Sequence, residues 1–539
     1  MKFYKKWIQE IFDRKESIEF KEWRTDNSIF KFLSSNLNDD GNLLEIENDL
    51  PDEIREDGNI RFAPGLMDAM FGEDDSDNSK KRIAELLTHF QKIATKGDMI
   101  GEQEFYRLIT ENEGVIGIID EFLQAVVNKS LPIQPYLFRY AKELATRTDK
   151  RNSVKFGIAI LGLCQNRSVL NEIKILGLHD EFTVYSSVAI LNISDNLEND
   201  LWELAKKVDG WGKIQLVNRL SKVELSEPVR DWLIYEGYKN NIMYEYLAYT
   251  CAVNGKLHEK LVDEQIVPQL FNSAADIIEA LIAEHSPVED ITSYSFAAQV
   301  IQDFIRHAKK QSCDISNFNT LQKIKHFLLE LQNDIGEQRK NGWDEDIISN
   351  CIIEIIEILN GRDWKILAHE GLKSNDNVIY WNAKQAAEKL DIDLWETVWT
   401  RLQEKPIDSV SWYDVIQCSK PENSDQIIDF ALNHLPLDEL STGPKDSNGF
   451  GDDYNKHASL ECATTFLEDY PQKGEKIILA SLKSPVTRNR NIGIKVLDKW
   501  KRENWSSEIE KEIMHLRNIE PNIDTKANIE RLINGQELK

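Results

Sequence analysis

The apolar positions of this chain recur with the period of an α-helix almost throughout, and the period-2 alternation of a half-buried strand is nearly absent. Near the start, Phe3, Trp7 and Ile11 form one i,i+4 row beside a second row of Tyr4, Ile8 and Phe12, which predicts an amphipathic helix over Met1–Lys15. That helix is expected to cap a helical array or fold back on it, although Lys2, Lys5 and Lys6 beside the aromatics would also suit a membrane surface. Between Leu50 and Ser79 the period breaks. Pro51, Gly58, Pro64, Gly65 and Gly72 punctuate an acidic stretch ending Glu73-Asp74-Asp75-Ser76-Asp77-Asn78, which reads as a loop or linker. From Lys80 onward helical windows alternate with short polar breaks. The windows include Ile83–Thr95, Val115–Asn128, Pro135–Thr146, Ser153–Cys164, Phe182–Leu191, Trp211–Ser221, Met243–Asn254, Tyr294–Lys309, Leu321–Asn333, Ile347–Leu359, Ile379–Leu390 and Thr487–Lys501. Breaks such as Asn360-Gly361-Arg362-Asp363 and Lys373-Ser374-Asn375-Asp376-Asn377 force the chain to reverse, so successive helices should pair antiparallel. The expected division is an N-terminal part over 1–79 and an array of helix pairs over 80–539.

Several second helices share a form: a short turn, a Val, an Arg or other polar group, then small residues where two helices would cross. The run from Lys483 to Leu497 has Val486, Arg488 and Gly493; Asp376-Asn377-Val378 leads to Ala383, Ala386, Ala387 and Leu390; Arg151-Asn152-Ser153-Val154 leads to Gly157, Ala159 and Leu161. In the first run Gly493 is expected to permit close approach of two helices. These stretches resemble HEAT repeats. The resemblance implies an all-α fold, a right-handed α-α superhelix or HEAT/ARM-like solenoid of antiparallel helix pairs, and carries over no site. The register lapses between Leu257 and Glu345, where an irregular array is expected. The motif Gly210-Trp211-Gly212-Lys213-Ile214 is similar to one in a group of uncharacterised bacterial HEAT-like proteins and brings no activity with it.

Composition agrees with helices under a charged surface, since 41% of residues are hydrophobic and 29% charged, with only 14 Pro and 25 Gly to interrupt them. At 539 residues the chain exceeds what one compact core supports, which calls for several domains or a repeat array. The acid excess, 92 Asp and Glu against 65 Lys and Arg, gives a formal net charge of −27 that repels phosphates and anionic lipid at long range. Cys164, Cys251, Cys313, Cys351, Cys418 and Cys462 lie far apart with no Cys-x-x-Cys pair, as expected of free thiols in a reducing compartment. No signal-like apolar run and no stretch near the ~20 residues of a membrane span appears, so a cytoplasmic protein is expected.

Catalytic templates do not assemble. There is no Gly-x-Ser-x-Gly elbow and no phosphate loop, and His369-Glu370 lacks the second histidine of a zinc pair. Gly449-Phe450-Gly451 runs into Asp452-Asp453, which would repel a pyrophosphate. The oxygen-rich stretches Asp446–Asp453 and Asp74–Asn78 lack the ordered spacing of a calcium loop. No cofactor and no metal site are expected.

Two features keep a nucleic-acid reading open, because some HEAT-like solenoids are base-excision glycosylases with Trp and Asp in the pocket. The groupings Trp412-Tyr413-Asp414 and Tyr380-Trp381-Asn382 are similar to such a pocket, with Trp412 and Asp414 as its candidate residues, although aromatics in a helical array usually fill its core. Arg488, Lys495, Lys499 and Arg502 recur at i, i+7, i+11 and i+14, a basic stripe that would hold phosphate or an acidic segment. The function expected first is a non-enzymatic scaffold that presents a curved helical surface to a protein or peptide partner. A glycosylase-like enzyme using the stripe is the alternative.

Overall fold

The computed structural model describes residues 23–44, 50–52, 77–111, 116–133, 135–311, 313–449 and 454–538. The amphipathic segment Met1–Lys15, the acidic run 73–76 and residues 450–453 lie outside them. The described residues are all-helical, with two isolated bridges, Leu37 to Leu43 and Ser447 to Val486, and no strand. They fall into two compact units, one holding the described residues of 1–54, 62–312 and 320–358, the other those of 313–319 and 359–538.

In the first unit the helices used below are α1 (Tyr136–Thr146), α2 (Arg151–Leu163), α3 (Leu170–Leu176), α4 (Asp180–Ile193), α5 (Leu197–Ala205), α6 (Gly210–Leu220), α7 (Glu245–Asn254) and α8 (Pro268–Leu281). Each of α2, α4 and α6 packs on the helix before it, and α2, α4, α6, α7 and α8 pack on one another in sequence. The backbones of α1 and α2 meet at Gly157, where a Cβ would lie 2.5 Å from the Ala145 amide nitrogen. Upstream, the extended residues from Trp23 and the helix Ile29–Ser35 bind onto this row: the Thr25 and Ile29 amides donate to the carbonyls of Arg147 and Thr148, at 2.8 and 2.9 Å. Between Leu257 and Glu345 the helices Pro268–Leu281, Ala297–Lys310 and Ile315–Asn333 are set off by long connections over 282–296 and 334–344, which hold only the short turns Ile291–Ser293 and Gly336–Asn341.

The second unit contains α9 (Trp364–Gly371), α10 (Asn377–Lys389), α11 (Trp395–Glu404), α12 (Ser409–Cys418), α13 (Ser424–His434), α14 (Asn455–Phe466), α15 (Glu475–Leu482), α16 (Thr487–Trp500), α17 (Ser507–Ile519) and α18 (Ile523–Ile533). The pairs are α9 with α10, α11 with α12 and α15 with α16, while α12, α14, α16 and α18 pack in succession. The Asp at the turn has a physical role. Asp376 accepts the Val378 and Ile379 amides at 2.8 and 3.1 Å, and Asp408 accepts that of Ser411 at 2.9 Å, satisfying amides that the first helical turn leaves without partners. Residues 443–449 are strapped across the turn before α16 by Gly443 N–H to Lys483 O at 2.8 Å and Thr487 N–H to Ser447 O at 2.9 Å.

Candidate functional site

The two groupings singled out in the sequence come together in the second unit. On α10, Tyr380 and Lys384 are spaced i,i+4 and so share the face that packs inward, toward α12. There Asp414 receives both: the Tyr380 hydroxyl donates to Oδ2 at 3.0 Å, and the Lys384 ammonium is ion-paired to Oδ1. All three side chains are buried. Arg401 of α11 stacks its guanidinium 3.8 Å from the Tyr380 ring centroid and donates to the Ser374 carbonyl at 3.0 Å. Burial, then the Asp414 charge, holds the Tyr380 hydroxyl well above its usual range, so it stays a proton donor. The Cys418 thiol is also pushed up, by burial first, with Lys384 opposing.

Above this buried network the same two helices expose apolar groups at matching positions. Val378 and Trp381 on α10 are 70% and 51% exposed; Val410 and Tyr413 on α12, each 32 residues further on, are 59% and 53% exposed. The Lys384 ammonium lies 5.4 Å from the Trp381 ring centroid and 5.9 Å from that of Tyr413, close enough to attract both rings. An immobilised cation therefore underlies two exposed aromatics. Both oxygens of Asp414 are engaged by these partners, and the buried pair lies beneath an aromatic shelf formed by Trp381 and Tyr413.

Trp412, the ring named from the sequence, is not on that shelf. It is fully buried, its indole N–H donates to Pro406 O at 2.9 Å, and its ring packs 6.0 Å from Phe430. Trp381 and Tyr413 stood in the two sequence groupings without being named as candidate residues, and Lys384 was not singled out. The signal that finds them is the repeated Asp-x-Val turn, which puts Val378 with Val410 and Trp381 with Tyr413 in register.

The basic stripe is shorter than its spacing implies. Arg488 is ion-paired to Glu461 of α14. α16 ends at Trp500, Lys501 turns away with φ 63°, and Arg502 lies in the following turn with Nε donating to Glu510 at 3.1 Å. Lys495 and Lys499 remain exposed on the helix with no ion pair among the described residues.

In the first unit the Gly210-Trp211-Gly212 motif forms a cradle for Asp180, the first residue of α4. A Cβ on Gly212 would lie 2.7 Å from Asp180 Oδ1, and one on Gly210 2.8 Å from Oδ2. The carboxyl accepts the Gly212 amide, while Asp209 accepts that of Gly210 at 2.9 Å. Burial first, then the Asp209 charge, pushes Asp180 up to about 7. Two carboxyls thus share the N-terminus of α6.

Among the described residues, Glu284, His326 and Glu330 bring three potential metal-ligating atoms within 4.8 Å of one another, all on exposed side chains. Exposed groups of this kind carry no argument for a bound ion. No helix among the described residues is long and apolar enough to cross a membrane. No protein family, curated protein or solved structure matches the chain.

Proposed function

We propose that this chain is a non-catalytic binding protein, a HEAT-like right-handed superhelix of stacked helix pairs that holds a polypeptide partner against the Trp381–Tyr413 shelf. The observation that carries the reading is the repetition of exposed Val and aromatic positions on α10 and α12 over a buried Lys384–Asp414 pair. Rigid aromatics lose little conformational freedom on binding and are enriched among residues that dominate interface energies. A matched row at i and i+3 on two adjacent helices suits a partner segment with two or three apolar anchors.

Selection of random peptides on the full chain tests this. Peptides with spaced apolar anchors should be enriched and should bind the Trp381→Ala/Tyr413→Ala form at least tenfold more weakly. Enriched peptides that do not distinguish the two forms would refute the assignment of the shelf. Lys384 is a poor probe, because its loss strands a buried carboxylate.

A glycosylase-like, nucleic-acid-processing enzyme is the second reading, favoured by the same exposed rings, which can stack bases. It requires a low-salt shift with DNA that disappears in Lys495→Glu/Lys499→Glu. No shift at low salt excludes it.

A further inference from the structure

The first unit contains a cavity of about 290 Å³ whose floor is apolar: Phe90, Val126, Leu137 and Ile160 are all buried there. Not one of the lining residues is Asp, Glu, Lys, Arg or His, in a chain where 29% of residues are charged. Packed interiors keep few voids larger than a water molecule. A dry void of about 150 Å³ lined by aliphatic and aromatic side chains is already enough to take benzene.

The mouth differs from the floor. The helices Ile116–Asn128 and α2 both end at it, and just past their ends Ser130 and Gln165 adopt left-handed backbone, with φ 50° and 48°. With Asn192 they form an exposed polar rim, and none of the three side chains makes a hydrogen bond to another described residue. Two helix C-termini at one opening present carbonyl oxygens and partial negative charge, which disfavours an anionic head group and favours a hydrogen-bond donor. The chain's net charge of −27 acts in the same direction. The wall at Gly162 is backbone pressed on α4, where a Cβ would sit 3.0 Å from the Ala189 Cα, so α2 has no room to shift toward α4 there.

We propose that this cavity is a binding site for a small uncharged amphiphile, an aliphatic alcohol of roughly ten carbons, with its chain among Phe90, Val126, Leu137 and Ile160 and its hydroxyl at Ser130, Gln165 or Asn192. The Cys164 thiol, also in the lining, is pushed up to about 12 by burial and stays a neutral wall.

The test uses the full chain and the neutral fluorophore 1-aminoanthracene. Saturable binding of one probe per chain is expected, with displacement by 1-decanol and at least tenfold weaker displacement by decanoate at pH 8. Val126→Phe should fill the floor and lose at least tenfold in probe affinity. Cys164→Phe, nearer the mouth, gives the same readout should the first variant fail to fold. Absence of saturable binding, or affinity unchanged in both folded variants, overturns the site. Equal displacement by decanol and decanoate overturns the choice of head group. Because the cavity and the aromatic shelf share no residue, Trp381→Ala should leave probe binding unchanged.

Discussion

Arg490 and Glu520 are both fully buried and joined by two bonds, Nε to Oε2 at 2.7 Å and Nη2 to Oε1 at 2.6 Å, while Nη1 donates to the Ser484 and Pro485 carbonyls. The guanidinium thus ties the turn before α16 to the entry of α18. Removing one partner leaves the other charge buried, so Arg490→Leu should cost about 3–5 kcal/mol in urea unfolding, and adding Glu520→Leu should recover most of it. A cost below about 1 kcal/mol would show that the pair is not sealed as described. Asp180 makes a prediction of a different kind. Its carboxyl ionises near 3.8 when unperturbed but is pushed up to about 7 in the folded chain, by burial first. The folded state therefore holds this proton more tightly, and the penalty grows as pH rises from about 4 to 7 and stays full above that. Asp180→Asn should raise the urea midpoint at pH 8 and change it much less at pH 4.5. A difference independent of pH would contradict the placement of Asp180 over Gly210 and Gly212. Neither residue was singled out by the sequence, where Arg490 looks like one polar group among several between Arg488 and Asn491. The burial of a charge depends on which distant segment covers it, and here the covering residues lie 30 positions away.

Helices were far more legible than their contacts. The windows at Pro135–Thr146, Ser153–Cys164, Phe182–Leu191 and Thr487–Lys501 agree with α1, α2, α4 and α16 to within about two residues at each end, because helical period and turn chemistry are local. Where apolar residues stand on two faces, the period alone does not say which face is inside. Tyr380 and Trp412 point into the core while their neighbours Trp381 and Tyr413 point out, although each pair is adjacent in sequence. The glycines make the same point. Gly493 was expected to permit close helix approach; a Cβ there would meet side-chain atoms of α15, the end of Leu482 at 3.2 Å and the Ser481 hydroxyl at 3.4 Å, whereas at Gly157 it would strike backbone. Gly157→Ala should therefore cost about 1–3 kcal/mol, while Gly493→Ala should be near neutral or stabilising by up to about 1 kcal/mol through helix propensity. Urea unfolding of the two variants side by side checks the order; an equal effect would mean that the α1–α2 contact is looser than described.

Taken as a whole, the chain carries a net charge of −27, and its surface is solvated by acidic side chains in excess. Among the exposed apolar side chains, Val378, Trp381, Val410 and Tyr413 form a matched group on α10 and α12, with Lys384 and Asp414 buried beneath it. Composition made long-range attraction to nucleic acid or anionic lipid improbable; it did not indicate where a partner would dock, since that depends on two helices brought together from positions 32 residues apart. Surface apolar groups scattered singly need no explanation, but a matched group on neighbouring helices does. The most direct measurement is photo-crosslinking in lysate of the source cells, with a benzophenone side chain placed at Tyr413 and, as a control, at Ile523, which is exposed and on α18. A discrete crosslinked species from position 413, absent from position 523 and competed by a shelf-selected peptide, is the predicted result. No crosslink at 413, or the same products from both positions, would contradict the account.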